Sequence, residues 1–349
     1  MKQPLSRRDF LKASAGAALG TLAISSLAGC AALSGNRAST PAAATPATAG
    51  SSSQIPTRIL GRTGAPVTIL GLGGAVSENS ADNEAAEKLL HEALDAGIRY
   101  FDTAFNYGKD GLGEKNLGMI MGTPRRRELF LATKCEDRTY DGAMKQVATS
   151  LERLRVDWID LIQVHHVCPR DTVADFGKST GVLKALRKLQ DQKVVRWVGM
   201  TGHPNYPQVQ EALAMYEWDT FMGFVNPARF CQPFFKNQLP IAQKKGMGVI
   251  GMKTFGGGRG PLVGNAPGTV DAPALLRYAL SQPVTTVIPA VSSVEQLREN
   301  VRVVRDFRPM SSADQMALES RINAKAKGWY ETHDDTRLYE LQHMAMIHG

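Results

Sequence analysis

Four side chains with acid-base chemistry stand at the ends of successive predicted strands. Asp102 and Tyr107 lie in FDTAFNYG. Lys134 closes LFLATK, and His165 follows WIDLIQV. Hydride transfer to a carbonyl group needs an acid that protonates the oxygen, and a free tyrosine, with a pKa of about 10, is too weak an acid unless it is tuned. The pattern predicts interconversion of a carbonyl and an alcohol, with Tyr107 as general acid or base. Lys134 would favour the phenolate of Tyr107, and Asp102 would hold Lys134 in place. His165 would orient the carbonyl or share the proton.

Alternating strand and helix patterns position these side chains. They run from about residue 57 to residue 305 and predict an α/β protein, a (β/α)8 TIM barrel, in which functional side chains gather at the carboxyl ends of the strands. The stretch TRILGRTGAPVTILGLGG predicts an N-terminal β-hairpin turned at residues 62–64. A first barrel strand is expected from Val67 to Leu72. A C-terminal extension follows the barrel, from Lys325 to Gly349.

The segments that carry these residues resemble the aldo-keto reductases. The matching stretches cover about residues 57–305 and are GIRYFDTAFNYG, GEKNLG, ELFLATK, SLERLRVDWIDLIQVHH, VRWVGMTGH and VIPAVSSVEQLREN. The resemblance implies an oxidoreductase whose catalytic tetrad falls on Asp102, Tyr107, Lys134 and His165. His166 competes with His165 for the last place, but its position in the motif favours His165, and strand alternation points His166 to the opposite face. In this family C-terminal loops shape substrate specificity, so residues 325–349 are expected to line the pocket or to form a surface helix over 336–346.

The resemblance also implies a nicotinamide nucleotide, with its phosphates near the later strands and the last barrel helix. Thr201 and Asn226 would hold the nicotinamide carboxamide, and Lys253 would approach the nicotinamide or the pyrophosphate. The glycine run that contains Gly256 and Gly257 offers backbone amides to phosphate oxygens. The adenosine end would lie along Ser293, Gln296 and Asn300.

Two departures from the family pattern bear on the choice of nucleotide. The carboxamide pair is commonly Ser-Asn, whereas this chain has Thr201-Gly202. Many members hold the 2′-phosphate of NADP(H) with a lysine and an arginine, and the matching positions here are Ala290 and Gln296. The family as a whole favours NADP(H), with Arg298 or Arg302 as substitute cations, and NAD(H) is the alternative.

The first 54 residues are expected to lie outside the barrel. SRRDFLK matches the twin-arginine export motif, and a weakly apolar run of about sixteen residues follows, short for a permanent membrane span. LAGC predicts a lipobox in which Cys30 receives the lipid; the alternative is cleavage in the Ala-rich stretch that follows. The predicted organisation is a signal peptide over 1–29, a disordered linker over 30–54 and a barrel over 55–349. An exported protein, periplasmic or anchored facing out of the cytoplasm, is therefore expected, with contact to a membrane only through the lipid.

Charge and cysteine content argue against a nucleic-acid-binding protein, a cysteine metal site and a disulfide-stabilised fold. Removal of residues 1–29 lowers the net charge from +8 to +5, and no stripe of basic and aromatic residues suggests a nucleic-acid partner. The three cysteines after Cys30 have no metal-type spacing, and a disulfide framework is not expected. No protein partner is evident, and the expected partner is a small carbonyl or alcohol.

Two alternative functions stay open. A binding or structural barrel that has lost catalysis would share the fold, although the intact tetrad argues against it. A metal-dependent hydrolase would use His165, His166, His203 and Asp102 as ligands, but Lys134 beside Asp102 would oppose a cation, so no metal is expected.

Overall fold

Eight parallel strands form the centre of the protein. The computed structural model describes residues 54–73, 83–204, 206–256 and 272–325. The strands are β1 (Thr57–Ile59), β2 (Pro66–Thr68), β3 (Gly71–Gly73), β4 (Tyr100–Asp102), β5 (Phe130–Cys135), β6 (Ile159–Val167), β7 (Val195–Gly202), β8 (Thr220–Phe224), β9 (Gly248–Met252) and β10 (Thr286–Ile288). Strands β3 to β10 pair in chain order, and a parallel bridge between Leu70 and Val287 joins the first to the last. The predicted (β/α)8 barrel is therefore confirmed.

Helices cover the outside of the barrel. They are α1 (Asn83–Ala96), α2 (Leu112–Met121), α3 (Tyr140–Leu154), α4 (Val182–Asp191), α5 (Pro207–Met215), α6 (Leu239–Lys244), α7 (Ala272–Ser281), α8 (Val294–Arg305) and α9 (Ser312–Lys325). In α4 the buried residues are Val182, Leu183, Ala185, Leu186 and Leu189, which recur at helical spacing on one stripe. This stripe packs into the main hydrophobic core between the helices and the sheet. Within the described residues no helix is long and apolar enough to cross a membrane.

Strand alternation separates the barrel interior into an apolar floor and a polar top. Tyr100, Phe130, Ala132 and Leu161 belong to one buried apolar cluster in the interior. Two residues further along the same strands come Asp102, Lys134 and Gln163. Lys134 and Gln163 both donate to the Asp102 carboxylate. Side chains two positions apart on a strand share a face, so the polar layer lies directly above the apolar floor. The sequence thus places the polar side chains at the carboxyl ends of the strands.

The N-terminal hairpin closes the floor of the barrel. β1 and β2 pair antiparallel, and Leu60 and Val67 pack into the interior cluster with no exposed surface. A Cβ at Gly61 would lie 2.2 Å from the backbone nitrogen of Gly248, so only glycine allows the turn to approach β9 this closely. The expected strand from Val67 to Leu72 is divided, because β2 ends at Thr68 and the barrel strand begins only at Gly71. The Thr68 hydroxyl donates to the carbonyl of Leu70 (2.8 Å) and stabilises the bend.

Helix α9 packs against the outside of the barrel. Its residues Leu318 and Ile322 join a second apolar cluster with Phe230 and Tyr278. The Tyr278 hydroxyl donates to the Glu319 carboxylate at 2.5 Å, which fixes the helix to α7. The expected helix over 336–346 lies outside the described residues.

The three cysteines that the structure describes are free and buried. They are Cys135, Cys168 and Cys231. Burial raises the pKa of the Cys135 thiol to about 12 and that of Cys231 well above its ordinary value. The thiols of Cys135 and Cys231 are therefore held in the protonated, unreactive form.

Candidate active site

A buried ion pair lies at the carboxyl ends of β4 and β5. The ammonium of Lys134 contacts Oδ1 of Asp102 and donates to the carbonyl oxygen of Thr103 at 2.7 Å. Both charged side chains are 1% exposed. Gln163 Nε2 donates to the other carboxylate oxygen of Asp102 at 3.2 Å. Burial alone would lower the pKa of Lys134, but Asp102 and Tyr107 raise it overall, so the ammonium stays charged.

Tyr107 reaches the same ammonium from the loop after β4. Its hydroxyl lies 3.4 Å from Nζ of Lys134, and its ring centroid lies 4.7 Å from that atom. The backbone of this loop is fixed by a bond from Tyr107 N to the carbonyl of Ala104 (3.2 Å) and by another from Gly113 N to the carbonyl of Tyr107 (2.9 Å). A contact of 3.4 Å between the hydroxyl and the ammonium is at the long end of hydrogen bonding. The structure therefore brings Asp102, Lys134 and Tyr107 into one chain of contacts.

His165 completes the cluster from β6. Its ring meets the ring of Tyr107 edge to face, with centroids 5.7 Å apart. Its Nδ1 contacts Oε1 of Glu136. Burial lowers the pKa of His165, and Glu136 partly opposes that effect through hydrogen bonding and charge. His165 is therefore neutral at neutral pH and faces the tyrosine.

His166 is placed elsewhere by a break in the strand. Its φ is 49°, in the left-handed region, and the pairing of β6 with β7 shifts register between Val164 and Val167. The His166 ring packs on His203, with centroids 4.3 Å apart. Of the two histidines, His165 is the one that lies beside Tyr107.

Two more side chains at this rim, Gln163 and Glu136, were missed by the sequence analysis. Gln163 stands two residues before His165, so strand alternation could have found it. Glu136 follows the end of β5, two residues after Lys134, where alternation no longer fixes a direction.

A third residue that the sequence analysis missed is Arg138, which ties the strand ends together. Its guanidinium donates to the carbonyl oxygens of Glu136 (2.8 Å) and His165 (2.7 Å) and to the carboxylate of Asp171 (2.8 Å). No local pattern in the sequence signals the contacts to His165 and Asp171, which lie 27 and 33 positions further along the chain.

The residues expected at the nicotinamide lie at the ends of the next three strands. The Thr201 hydroxyl accepts a hydrogen bond from His166 N at 2.7 Å. Asn226 is fully buried, and its Nδ2 donates to the carbonyl oxygen of Lys253 at 2.9 Å. Gly256 N donates to the same carbonyl at 2.8 Å. Lys253 and Gly256 both have positive φ, 56° and 86°, and form a tight turn after β9. Gly257 lies outside the described residues.

The residues expected at the adenosine lie at the start of α8. Ser293 is its N-cap, and its hydroxyl accepts from Gln296 N at 3.3 Å. Gln296 Oε1 in turn accepts from Ser292 N at 2.8 Å, so both side chains stabilise the helix start. Asn300, one turn further on, is buried. The guanidinium of Arg298 forms two bonds, of 2.8 and 2.9 Å, to the Glu92 carboxylate on α1.

The arrangement of possible metal ligands bears on the hydrolase alternative. Within the described ranges, no group of three or more His, Cys, Asp and Glu side chains is arranged to hold a metal ion. The charged centre of the rim is instead an ammonium ion. Fold and rim together define an α/β-barrel oxidoreductase.

Comparison with known proteins identifies the family. Residues 69–261, more than half of the chain, match the sequence model of the Aldo/keto reductase family. A 6-dehydroglucose reductase from Novosphingobium aromaticivorans is 31% identical over 260 residues, which cover 67% of this chain and 80% of that protein. L-galactose dehydrogenase from Arabidopsis thaliana is 26% identical over 302 residues, 74% of this chain and 90% of the plant protein. The chain belongs to the aldo-keto reductase family.

Two further matches concern the fold and the N-terminus. An aldo-keto reductase from Bacillus halodurans, solved in its holo form, superimposes with a TM-score of 0.65 at 24% identity and covers 76% of this chain and 96% of its own. This likeness confirms the barrel. Residues 4–23 match the signal sequence of the twin-arginine translocation pathway, which confirms that the chain carries this export signal.

Proposed function

We propose that this protein interconverts a carbonyl and an alcohol with a nicotinamide nucleotide, and that Tyr107 is its general acid and base. The observation that carries the proposal is the position of the Lys134 ammonium, buried between the Asp102 carboxylate and the Tyr107 hydroxyl. A charge in that place favours the phenolate that remains when Tyr107 gives up its proton. Asp102 holds the ammonium, and His165 orients the reacting oxygen when its ring is protonated.

The cofactor supplies the hydride when it is bound. In reduction Tyr107 protonates the carbonyl oxygen as the carbon accepts the hydride, and in oxidation its phenolate takes the proton of the alcohol. Such proton transfer typically contributes about 10²-fold to 10⁴-fold to a rate. The burial of Asp102 and Lys134 keeps water from screening the ammonium, which strengthens its effect on the tyrosine oxygen 3.4 Å away.

The residues at the ends of β7 to β9 fit a nicotinamide carboxamide. Thr201 uses an oxygen lone pair for His166 N, which leaves its hydroxyl hydrogen to donate to the carboxamide oxygen. Asn226 uses one amide hydrogen for the Lys253 carbonyl and keeps the other. The Gly256 amide already donates to the Lys253 carbonyl. The phosphates would therefore be held by the Gly257 amide and the start of α8, with Ser293, Gln296 and Asn300 along the adenosine.

We infer that NADP(H) is the favoured nucleotide and that its advantage over NAD(H) is small. Arg298, one of the two cations near the start of α8 that could hold a 2′-phosphate, is already paired with Glu92. Titration of the protein with NADPH and NADH, followed by nucleotide fluorescence, measures the ratio of the dissociation constants. A ratio of about 1,000 or more would contradict the small preference.

Sugars are the first substrate class to test. Relatives of this chain are named L-galactose dehydrogenase, 6-dehydroglucose reductase and D-threo-aldose 1-dehydrogenase. The assay follows nucleotide absorbance with aldoses, sugar aldehydes and their alcohols in both directions. Failure of every carbonyl and alcohol, in a protein that binds the nucleotide, would overturn the proposed reaction.

We further propose that residues 1–29 are removed after export and that Cys30 receives a lipid. Residues 30–54 would then be a tether and 55–349 the barrel, placing the site outside the cytoplasm, in the periplasm or anchored to a membrane. All of residues 1–53 lie outside the described part of the chain, so this proposal depends on the sequence signals alone.

A further inference from the structure

The Glu136 carboxylate contacts the buried edge of the His165 ring. Oε1 of Glu136 touches Nδ1, and Nδ1 has no solvent exposure. The side chain of His165 is nevertheless 9% exposed. The exposed part therefore belongs to side-chain atoms other than Nδ1, and the ring centroid lies 5.7 Å from that of Tyr107. Nδ1 thus contacts Glu136, and Nε2 is the ring nitrogen that could contact the reacting oxygen.

Backbone bonds fix both partners of this contact. Glu136 N donates to Oε1 of Gln146 on α3 at 2.9 Å, and the guanidinium of Arg138 donates to the carbonyls of Glu136 and His165. Arg138 is itself held by Asp171 through two bonds, of 2.8 and 3.1 Å. These bonds hold the backbones of the two strand ends in one geometry, so the Glu136 side chain starts from a fixed position beside His165.

The chemistry of the contact decides which nitrogen of the neutral ring carries the proton. An ionised carboxylate can only accept, so the hydrogen between the two groups belongs to Nδ1. In a neutral imidazole only one ring nitrogen carries a proton, and the hydrogen bonds that the ring makes decide which one it is. We propose that Glu136 is a positioning residue that fixes the proton of neutral His165 on Nδ1, so that Nε2 donates to a carbonyl oxygen only when the ring is protonated.

Among the groups around His165, Glu136 is the one that stabilises the protonated ring. Burial, Lys134 and Arg138 lower the pKa of His165, and Glu136 raises it. The other titratable groups that face the ring are on the β4 side, where Asp102 interacts with it by charge and Tyr107 by ring contact. With neutral His165, Nε2 presents a lone pair to the carbonyl oxygen, which repels it. Reduction therefore requires the imidazolium form.

The first test reads the tautomer directly. In protein labelled with ¹⁵N-histidine, the ¹⁵N shifts and couplings of the neutral ring identify the protonated nitrogen, and His165→Asn identifies the signal by its loss. We expect Nδ1–H in the wild type, Nε2–H in Glu136→Ala, and return to Nδ1–H in Glu136→Asp. A wild-type ring with its proton on Nε2, or the same tautomer in the wild type and the alanine variant, would overturn the inference. This readout needs no turnover, so it separates failure of the inference from failure of the proposed function.

The second test rests on the proposed function and reads the pH profile of reduction. In the wild type, kcat/KM should fall about ten-fold for each pH unit above the His165 pKa, because only the imidazolium donates from Nε2. In Glu136→Ala the neutral ring can carry its proton on Nε2, so kcat/KM two pH units higher should stay within a few-fold of its acid value. Asp137→Asn is the matched control, because Oδ1 of Asp137 accepts from Thr139 N at 2.7 Å and the group does not contact His165. Parallel profiles of the wild type and Glu136→Ala would contradict the inference.

Discussion

A single hydroxyl carries most of the proposed chemistry. Tyr107→Phe removes the proton donor but keeps the ring that meets His165. We expect turnover to fall by roughly 10²-fold or more, with the dissociation constant of the nucleotide unchanged, because the phenol acts only in the proton transfer. Stopped-flow reduction and a nucleotide titration on the same sample measure both quantities. Wild-type turnover in the variant would exclude Tyr107 as the acid.

The Asp102 and Lys134 pair has a second role in stability. Lys134→Met removes the ammonium and leaves Asp102 buried without its partner, which we expect to lower the free energy of unfolding by about 3 kcal/mol. Urea denaturation measures the loss. The double variant Asp102→Asn/Lys134→Met is the control, since it contains no unpaired charge and should recover part of that stability. Equal stability of Lys134→Met and the wild type would mean that the pair does not contribute.

At the scale of elements, Thr201 supports the strand end that carries the histidines. Its hydroxyl accepts from His166 N, where the backbone has a positive φ. Thr201→Val keeps the shape but leaves that buried N–H without an acceptor, which we expect to cost about 1 to 3 kcal/mol of stability. Thr201→Ser retains the oxygen and should cost less. Thermal or urea unfolding of the two variants makes the comparison, and equal losses would assign the effect to packing.

The elements also show how far the sequence could predict this site. The positions of Asp102, Lys134 and His165 at the ends of predicted strands placed them together, because the carboxyl ends of parallel strands lie at one rim of the barrel. Strand alternation alone does not explain the direction of the His166 side chain. A register shift and a positive φ at His166 turn its ring toward His203.

Contacts between loops could not be read from the sequence. Arg138, in the loop after β5, meets His165 near the end of β6 and Asp171 beyond that strand, and Arg298 meets Glu92 on another helix. Such pairs depend on tertiary geometry and not on local spacing.

For the whole molecule, the signal at residues 4–23 gives a direct test of the compartment. Arg7→Lys/Arg8→Lys should abolish or strongly slow export, because the twin arginines are the recognised element of the motif. Labelled palmitate should attach to the wild-type protein and not to Cys30→Ser. Fractionation and autoradiography measure the two outcomes. Export of the double variant at the normal rate would contradict the first expectation, and unlabelled wild type would contradict the second.

Export also constrains how a nicotinamide enzyme obtains its nucleotide. The twin-arginine route carries folded proteins, so the nucleotide can be loaded in the cytoplasm. Retention for about an hour implies a dissociation rate near 10⁻⁴ s⁻¹ and, with association rates of about 10⁵ to 10⁷ M⁻¹s⁻¹, nanomolar or tighter affinity. We expect exported protein to keep nucleotide absorbance through desalting and to cycle between two substrates. Protein that emerges empty and binds NADPH only at micromolar levels would rule this out.

The three buried thiols have a consequence for the lifetime of such a protein. Outside the cytoplasm, cysteines meet peroxides and disulfide catalysts that convert exposed thiolates to sulfenic acids and mixed disulfides. The folded chain buries all three thiols, of Cys135, Cys168 and Cys231, before it would encounter these oxidants. The thiol of Cys135, with a pKa of about 12, is almost never ionised to the thiolate. The folded barrel should therefore resist oxidation without forming disulfides. A chain that unfolds even briefly would expose its thiols, and disulfide crosslinks would then prevent it from refolding.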